Sequence, residues 1–385
     1  MPELIVYKGK SSQTGVSFCN EFPYVEVDES SLSFPQIEEK VSNDSIQAVL
    51  PIWNSHFGEI NLSNALGMIF NEVARLYYLW PEMIIFECLS REPLNKKLTS
   101  IKVVNQQCSR FMNKHGFILD PKEGVASTVD AYEIFKKDDS FSAVLCAPGA
   151  NKDDFNVLSE DASNPINFTT FALLASPCSE SWDNPEWGGL SEKIIPARKN
   201  YTAIEMSFSL PFSDSQEQLF DLFIDEAESI DDVPKVLFVS EYKGKNCRIL
   251  IESQGEFASP EMLSDDGADD GISIIPNVGY SAEGYSGRAN KFLHDRFDLE
   301  ENDFIRHVGK DSYFFSCPAL GIVTHGFNSQ VTENIVRQLI KRCFELLNRG
   351  TKATDAQRQL YEKYLDDYMD KGLNFINFVD VGFES

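Results

Sequence analysis

Asn54 and Ser55 follow the apolar run Ala48-Val49-Leu50-Pro51-Ile52 and precede Gly58. A strand ending in an amide and a hydroxyl just before a helix presents side-chain and backbone donors to an anion at that helix N-terminus. A second polar stretch, Asn164 to Phe171 (NPINFTTF), leads into the apolar Ala172–Leu174. Gln107, Cys108 and Arg110 sit together ahead of an amphipathic segment, and Ser127-Thr128 precede Val129-Asp130-Ala131. Amides and hydroxyls of this kind suit the orientation of a small oxygen-rich anion. Each also has a plain structural use, since an Asn-Ser turn, Ser127 or Thr128 caps a helix without any further role. His56 would supply charge or a proton near neutral pH if it reached a site, and Trp53 either stacks on a planar ring or packs in the core.

The elements that must position these residues alternate. Strand-like runs at Leu4–Tyr7 and Ala48–Ile52 are followed by apolar residues at helical spacing over Leu62–Trp80. Strands are expected at Met83–Glu87, Ile101–Val104, near Val125, at Ala143–Cys146 and at Phe171–Ala175, with helices near Gln106–Asn113 and Val129–Lys136. Such alternation favours a parallel or mixed sheet with helices on its faces. Breakers crowd Ser176–Lys199 and mark a boundary. Beyond it the order is strand (Ala203–Leu210), helix (Ser215–Glu228) and two strands (Val236–Tyr242, Arg248–Ser253). Strand-like Ile272–Ile275 and Leu320–Thr324 and two helices (Gln330–Asn348, Asp355–Met369) complete the chain.

Four segments resemble the prephenate dehydratase family. AVLPIWNSHFG (48–58) is similar to its strand ending in Pro-Ile and followed by Glu-Asn-Ser and a glycine; Asn54, Ser55 and Gly58 match, and Trp53 replaces the glutamate. VVNQQCSRFM (103–112) resembles its strand-to-helix segment through Gln107, Cys108 and Arg110, without the His-Pro of the family. GVASTVDA (124–131) matches the strand that runs into Ser-Thr. Asn164–Phe171 resembles Asn-x-Thr-Arg-Phe, with Asn167, Thr169 and Phe171 matching and Thr170 in place of the arginine.

The resemblance implies an α/β protein: a two-lobed unit like the type 2 periplasmic binding proteins over residues 1–180, with the chain crossing between lobes near residues 80 and 165. A β-α-β-β ACT-like domain over 198–255 and an α+β region over 256–385 follow. It implies a lyase acting on prephenate or a related cyclohexadienyl carboxylate, without a cofactor. Thr169 would assist the departing hydroxyl, and Asn54, Ser55, Gln107, Asn167, Thr170 and Phe171 would contact substrate. A hydroxyl is a poor general acid, so its value would lie in a preorganised hydrogen bond to developing charge. The loss of the arginine would remove a carboxylate clamp worth ~1.5–3 kcal/mol, with Arg110, Lys102 and Arg91 as possible replacements. A decarboxylase that keeps the ring hydroxyl and a non-catalytic small-carboxylate binder or sensor are the alternatives. The phenylalanine signatures of ACT domains are absent, so no phenylalanine site is expected.

Composition narrows the partners. Sixty acidic and 34 basic residues give a formal charge of −26, which repels nucleic acid and anionic membranes, and an anionic substrate then requires a locally cationic pocket. The eight cysteines are scattered without Cys-x-x-Cys or metal spacing, so no metal is expected and a reducing, cytoplasmic setting is. SDDGADDG (264–271) lacks the spaced ligands of an EF-hand and reads as a solvated turn. Asn277–Arg288 reads as a Gly/Tyr/Ser loop, and Cys317, His307 and His325 carry no nucleophile signature. No run approaches the ~20 apolar residues of a membrane span. The ACT-like or C-terminal region is a possible homo-oligomer surface.

Overall fold

The computed structural model describes residues 4–7, 13–22, 32–43, 47–120, 125, 127–148, 155–164, 166–176, 199–207, 219, 227–242, 246–254, 272–281, 284–297, 304–308, 312–327, 329–372, 376 and 378–380. The boundary segment beyond Ser176, nearly all of the helix expected at Ser215–Glu228, and the SDDGADDG stretch lie outside them.

β1 (Leu4–Val6), α1 (Gln13–Glu21) and α2 (Phe34–Asn43) lead to β2 (Gln47–Asn54), all of whose residues are buried. A strand covered on both faces reads as an unbroken apolar run, which is why its sequence lacks alternation. β3 (Gly58–Glu59) folds back on β2 and is followed by α3 (Leu62–Phe70) and β4 (Arg75–Met83). The single helix expected over Leu62–Trp80 is therefore half helix and half strand. The chain breaks at Glu72, with φ 56°, and Leu76–Trp80 is buried throughout. An apolar run with no exposed face carries no period to separate helix from strand, and its aromatic residues favour the pleated form.

A second unit follows: β5 (Glu87–Ser90), β6 (Lys97–Thr99), α4 (Val104–Gln107), α5 (Ser109–His115), β7 (Ile118–Leu119), α6 (Thr128–Lys137), β8 (Ala143–Cys146) and β9 (Asn156–Ser159). Its sheet has the order β7-β6-β8-β5-β9. The expected strand at Ile101–Val104 is a turn entering α4, and Val125 belongs to no strand. Ser127 is the N-cap of α6 in a reciprocal capping box with Asp130, the structural use open to it from sequence. Between leaving the large sheet after Met83 and returning to it at β10 (Phe168–Ala175), the chain builds this whole unit.

The remainder extends the large sheet through β11 (Lys199–Ser207), β12 (Lys235–Tyr242), β13 (Asn246–Ser253), β14 (Ser273–Ser281), α7 (Tyr285–Phe297), β15 (Ile305–Val308), β16 (Tyr313–Cys317), β17 (Ile322–Gly326), α8 (Ser329–Asn348), α9 (Asp355–Lys371) and β18 (Val379–Asp380). The path is β1-β2-β10-β4-β14-β11-β13-β12-β17-β16-β15-β18, with β3 alongside β2. Within it β11 to β14 lie antiparallel in the order β14-β11-β13-β12. The strands expected at Ala203–Leu210, Val236–Tyr242 and Arg248–Ser253 thus gain β14 as a fourth partner. β14 also pairs with β4, and β12 with β17, both in parallel. One buried cluster takes in Leu50 and Trp53, then Tyr201 and Leu237, then Tyr285, Phe314 and Val323. The core therefore runs across all three expected segments. The expected Gly/Tyr/Ser loop is the end of β14 and the start of α7.

α7 starts on a buried carboxylate. Glu252 Oε2 accepts the backbone N–H groups of Tyr285 and Ser286, and Oε1 accepts the Ser286 hydroxyl, so its carboxyl group pairs donors that a helix N-terminus leaves open. Burial raises the Glu252 pKa, and these hydrogen bonds oppose the rise. Gly284, at φ +74°, is the entry turn, and a Cβ there would lie 2.7 Å from Glu252 Oε1. Gly284→Ala is expected to cost roughly 2–4 kcal/mol from left-handed backbone strain and crowding together, measurable as a lower urea midpoint. A loss under ~0.5 kcal/mol would mean that the carboxylate is free to move aside.

Candidate functional site

Antiparallel pairing of β2 with β10 sets Thr169 opposite Asn54 and Thr170 opposite Trp53. Because side chains alternate across a strand, the first pair and the second pair occupy opposite faces of the sheet. On the first face, Asn54 Nδ2 donates to Thr169 Oγ1 at 2.9 Å, to the Phe168 carbonyl at 3.0 Å and to Asn167 Oδ1 at 3.3 Å. Asn54 Oδ1 accepts the backbone N–H groups of His56 at 2.8 Å and Phe57 at 3.3 Å. Asn167 Oδ1 also receives Gln107 Nε2 at 3.2 Å, and Asn167 Nδ2 donates to the Ile84 carbonyl at 2.8 Å. Gln107 comes from α4, so this cluster bridges the two sheet units. Ser55 Oγ donates to the Ile166 carbonyl at 2.8 Å and accepts the Phe168 N–H at 3.1 Å.

Asn54, Ser55, Gln107, Asn167 and Thr169 thus meet in one buried polar cluster. Thr170 and Phe171 do not join it. Thr170 Oγ1 shares a 2.6 Å hydrogen bond with the Tyr285 hydroxyl, which is 2.9 Å from His325 Nε2. Phe171 stacks on Trp80. Trp53 is core, 4.3 Å from His325 and 5.5 Å from Phe168 between ring centroids. Trp53 and Thr170, the replaced positions in the first and last of the four segments, are therefore a cross-strand pair facing Tyr285 and His325. An arginine at Thr170 would start from the face opposite Asn54 and Thr169, so the substitution alters the packing against α7 rather than the polar cluster.

None of the expected replacement cations reaches the cluster. Arg91 pairs with Asp139, donates to the Phe135 carbonyl and lies 4.2 Å over the Phe135 ring. Lys102 and Arg110 are exposed. His56 is buried, and its pKa is lowered to about 4 by desolvation and then by His307, partly opposed by a backbone hydrogen bond at Ile166. It is neutral at pH 7. Cys108 is buried and its thiol pKa is raised by that burial, which makes it inert. Among the described residues, no group of three or more His, Cys, Asp or Glu side chains could hold a metal ion, and no helix is long and apolar enough to cross a membrane.

Sequence reasoning missed the contribution of the C-terminal strands. His307 Nε2 donates to the Ser55 carbonyl at 3.0 Å and Ser312 Oγ to the same oxygen at 2.5 Å. Both residues are fully buried. Nothing local to His307 indicates that its strand lies against a turn some 250 residues earlier. Asn164 is a further hidden strut: its side chain donates to the Gln106 carbonyl at 2.7 Å and accepts the Arg110 N–H at 3.1 Å.

No protein-family model matches the chain, and no curated protein matches its sequence. Solved structures do resemble it. The prephenate dehydratase of Staphylococcus aureus subsp. aureus Mu50 has 14% identity and a TM-score of 0.49, covering 72% of this chain and 99% of its own. The prephenate dehydratase of Arthrobacter aurescens, in complex with L-Phe, has 17% identity and a TM-score of 0.47, covering 65% and 80%. GqqA, described as a novel type of quorum quenching acylase, has 12% identity and a TM-score of 0.46, covering 72% and 96%. At these identities the likeness concerns the fold alone.

Proposed function

We propose that the chain is a lyase acting on prephenate or a related cyclohexadienyl carboxylate, with Thr169 as the hydroxyl that assists the departing group. The observation that carries this reading is the 2.9 Å hydrogen bond from Asn54 Nδ2 to Thr169 Oγ1. An amide that donates to the hydroxyl oxygen fixes its position and leaves the Thr169 proton as a donor. A preorganised donor in a site with little water stabilises charge that develops on a leaving oxygen. Asn167 and Gln107 hold the second unit against the strand that carries Thr169. The chemistry drives itself once oriented, because loss of the ring hydroxyl and carboxylate gives an aromatic product.

The test is incubation of purified protein with prephenate, with products followed by mass and ultraviolet absorbance. Phenylpyruvate is the expected product; a non-aromatic dihydro-hydroxyphenylpyruvate would assign decarboxylation with the hydroxyl retained. Thr169→Ala is expected to slow turnover by ~10²–10³-fold, the effect of removing one donor from a dry site. Unchanged prephenate would overturn the lyase reading. A second reading, a non-catalytic small-carboxylate binder, is favoured by one observation: the cluster's side chains are buried and largely committed to bonds within the protein, which suits a structural more than a chemical use. That reading expects prephenate or another carboxylate to raise the melting temperature without being consumed.

A further inference from the structure

A cavity of about 510 Å³ opens between α7, the 3-10 turn Pro318–Leu320, the start of α9 and Asp231. That volume lies within the range of small-molecule sites. Its lining combines the apolar Pro318, Ala319 and Ala356 with Lys291 and His294 of α7 and with Asp231. Lys291 and His294 are three residues apart on α7 and so share a face.

The polar groups divide into those already committed and those with capacity to spare. Asn290 donates to the Ser286 carbonyl at 2.9 Å and accepts from Ser316 at 2.8 Å, so it serves as wall. Gln357 accepts the Thr354 N–H at 2.8 Å and donates to Asp231 Oδ1 at 3.3 Å, which fixes that carboxylate. Among the described residues, Asp231 Oδ2 has no hydrogen-bond donor and Lys291 has no ion-pair partner. His294 has only its neighbour Asp295, at 3.9 Å. A free lysine beside a cavity matters in a chain of charge −26, because most anions are repelled elsewhere on its surface.

We propose that this cavity binds a small zwitterion, an α-amino acid with a short apolar side chain, whose carboxylate meets Lys291 and His294, whose ammonium meets Asp231 Oδ2, and whose side chain meets the apolar lining of Pro318, Ala319 and Ala356. The site is separate from the Asn54–Thr169 cluster and stands whether or not that cluster is catalytic.

Calorimetry on the full chain with L-alanine, L-valine and L-leucine tests it. At least one is expected to bind with a Kd below about 1 mM. The matching carboxylic acid without the amine, and the matching amine without the carboxylate, should each bind about tenfold or more weakly, as should the tightest amino acid to Lys291→Met and Asp231→Asn. Lys291 is exposed, so Lys291→Met should fold normally, which circular dichroism would verify. Absence of heat with all three amino acids at about 10 mM, equal binding of the one-charge analogues, or full affinity in Lys291→Met would each overturn the proposal.

Discussion

Asn54→Ala is expected to lower the stability of the native protein by about 3–5 kcal/mol, from the loss of a buried hydrogen-bonded group. The side chain is fully buried; the two N–H groups of Nδ2 are shared among three acceptors and Oδ1 accepts two backbone N–H groups. Truncation strands the backbone N–H groups of His56 and Phe57 and removes the donor to Thr169. Each buried group left unpaired costs ~1–3 kcal/mol, and the sum falls short of additivity because water can enter the vacated space. Ser55→Ala removes two hydrogen bonds and should cost less, about 1–3 kcal/mol. Urea denaturation at pH 7.5 gives both values. A cost under 1 kcal/mol for Asn54→Ala would mean that the turn after β2 is held mainly by His307 and Ser312 on the Ser55 carbonyl.

Acid should destabilise the protein well before its exposed carboxylates are protonated, and the cause is two buried histidines. His56 has its pKa lowered to about 4 by desolvation first and His307 second; His325 has its pKa lowered to about 3 by burial. In the unfolded chain each takes a proton near 6.5. Between that value and the folded one, the unfolded chain binds more protons than the native protein, so stability falls as pH falls. The contribution is complete above pH 6.5 and diminishes steadily below it. At ~1.4 kcal/mol per pH unit per histidine, the pair loses ~5 kcal/mol between pH 6.5 and 4.5. Glu252 and Glu82, whose carboxyl pKa values are raised by burial, pull the other way. The decisive measurement is therefore the difference between variants. His325→Phe keeps a ring against Phe238 and Trp53 but loses the bond to Tyr285. It should be less stable at pH 7.5 and lose stability less steeply towards pH 5 than the parent protein. Parallel curves for the two would exclude His325 as a source of the acid sensitivity.

Much of the chain's local structure is legible in its residues. Ala143–Cys146 is a strand as its sequence reads, and the apolar stripe of α8 and the Gly350 stop behind it define that helix almost to the residue. Ser127 and Asp130 announce the capping box of α6. These features are local: propensity, periodicity and caps act within a few residues of one another. The same logic failed at Leu62–Trp80, because burial on both faces of β4 erases the periodicity that separates strand from helix.

The resemblance of four segments to prephenate dehydratase motifs marked Asn54, Asn167 and Thr169 as candidates, and composition set the net negative charge. Only the tertiary structure decided which of the candidates meet. The β2–β10 register sends Thr169 to Asn54 and Thr170 to Tyr285, on opposite faces, although the two threonines are adjacent in sequence. It also brings His307 and Ser312 onto the Ser55 carbonyl across some 250 residues. Strand register and the approach of distant strands are fixed by the packing of the whole core, where one shared cluster joins Leu50 to Val323. No window of the sequence contains both sides of such a contact, so the partners of a buried side chain are a property of the fold rather than of its neighbours in the chain.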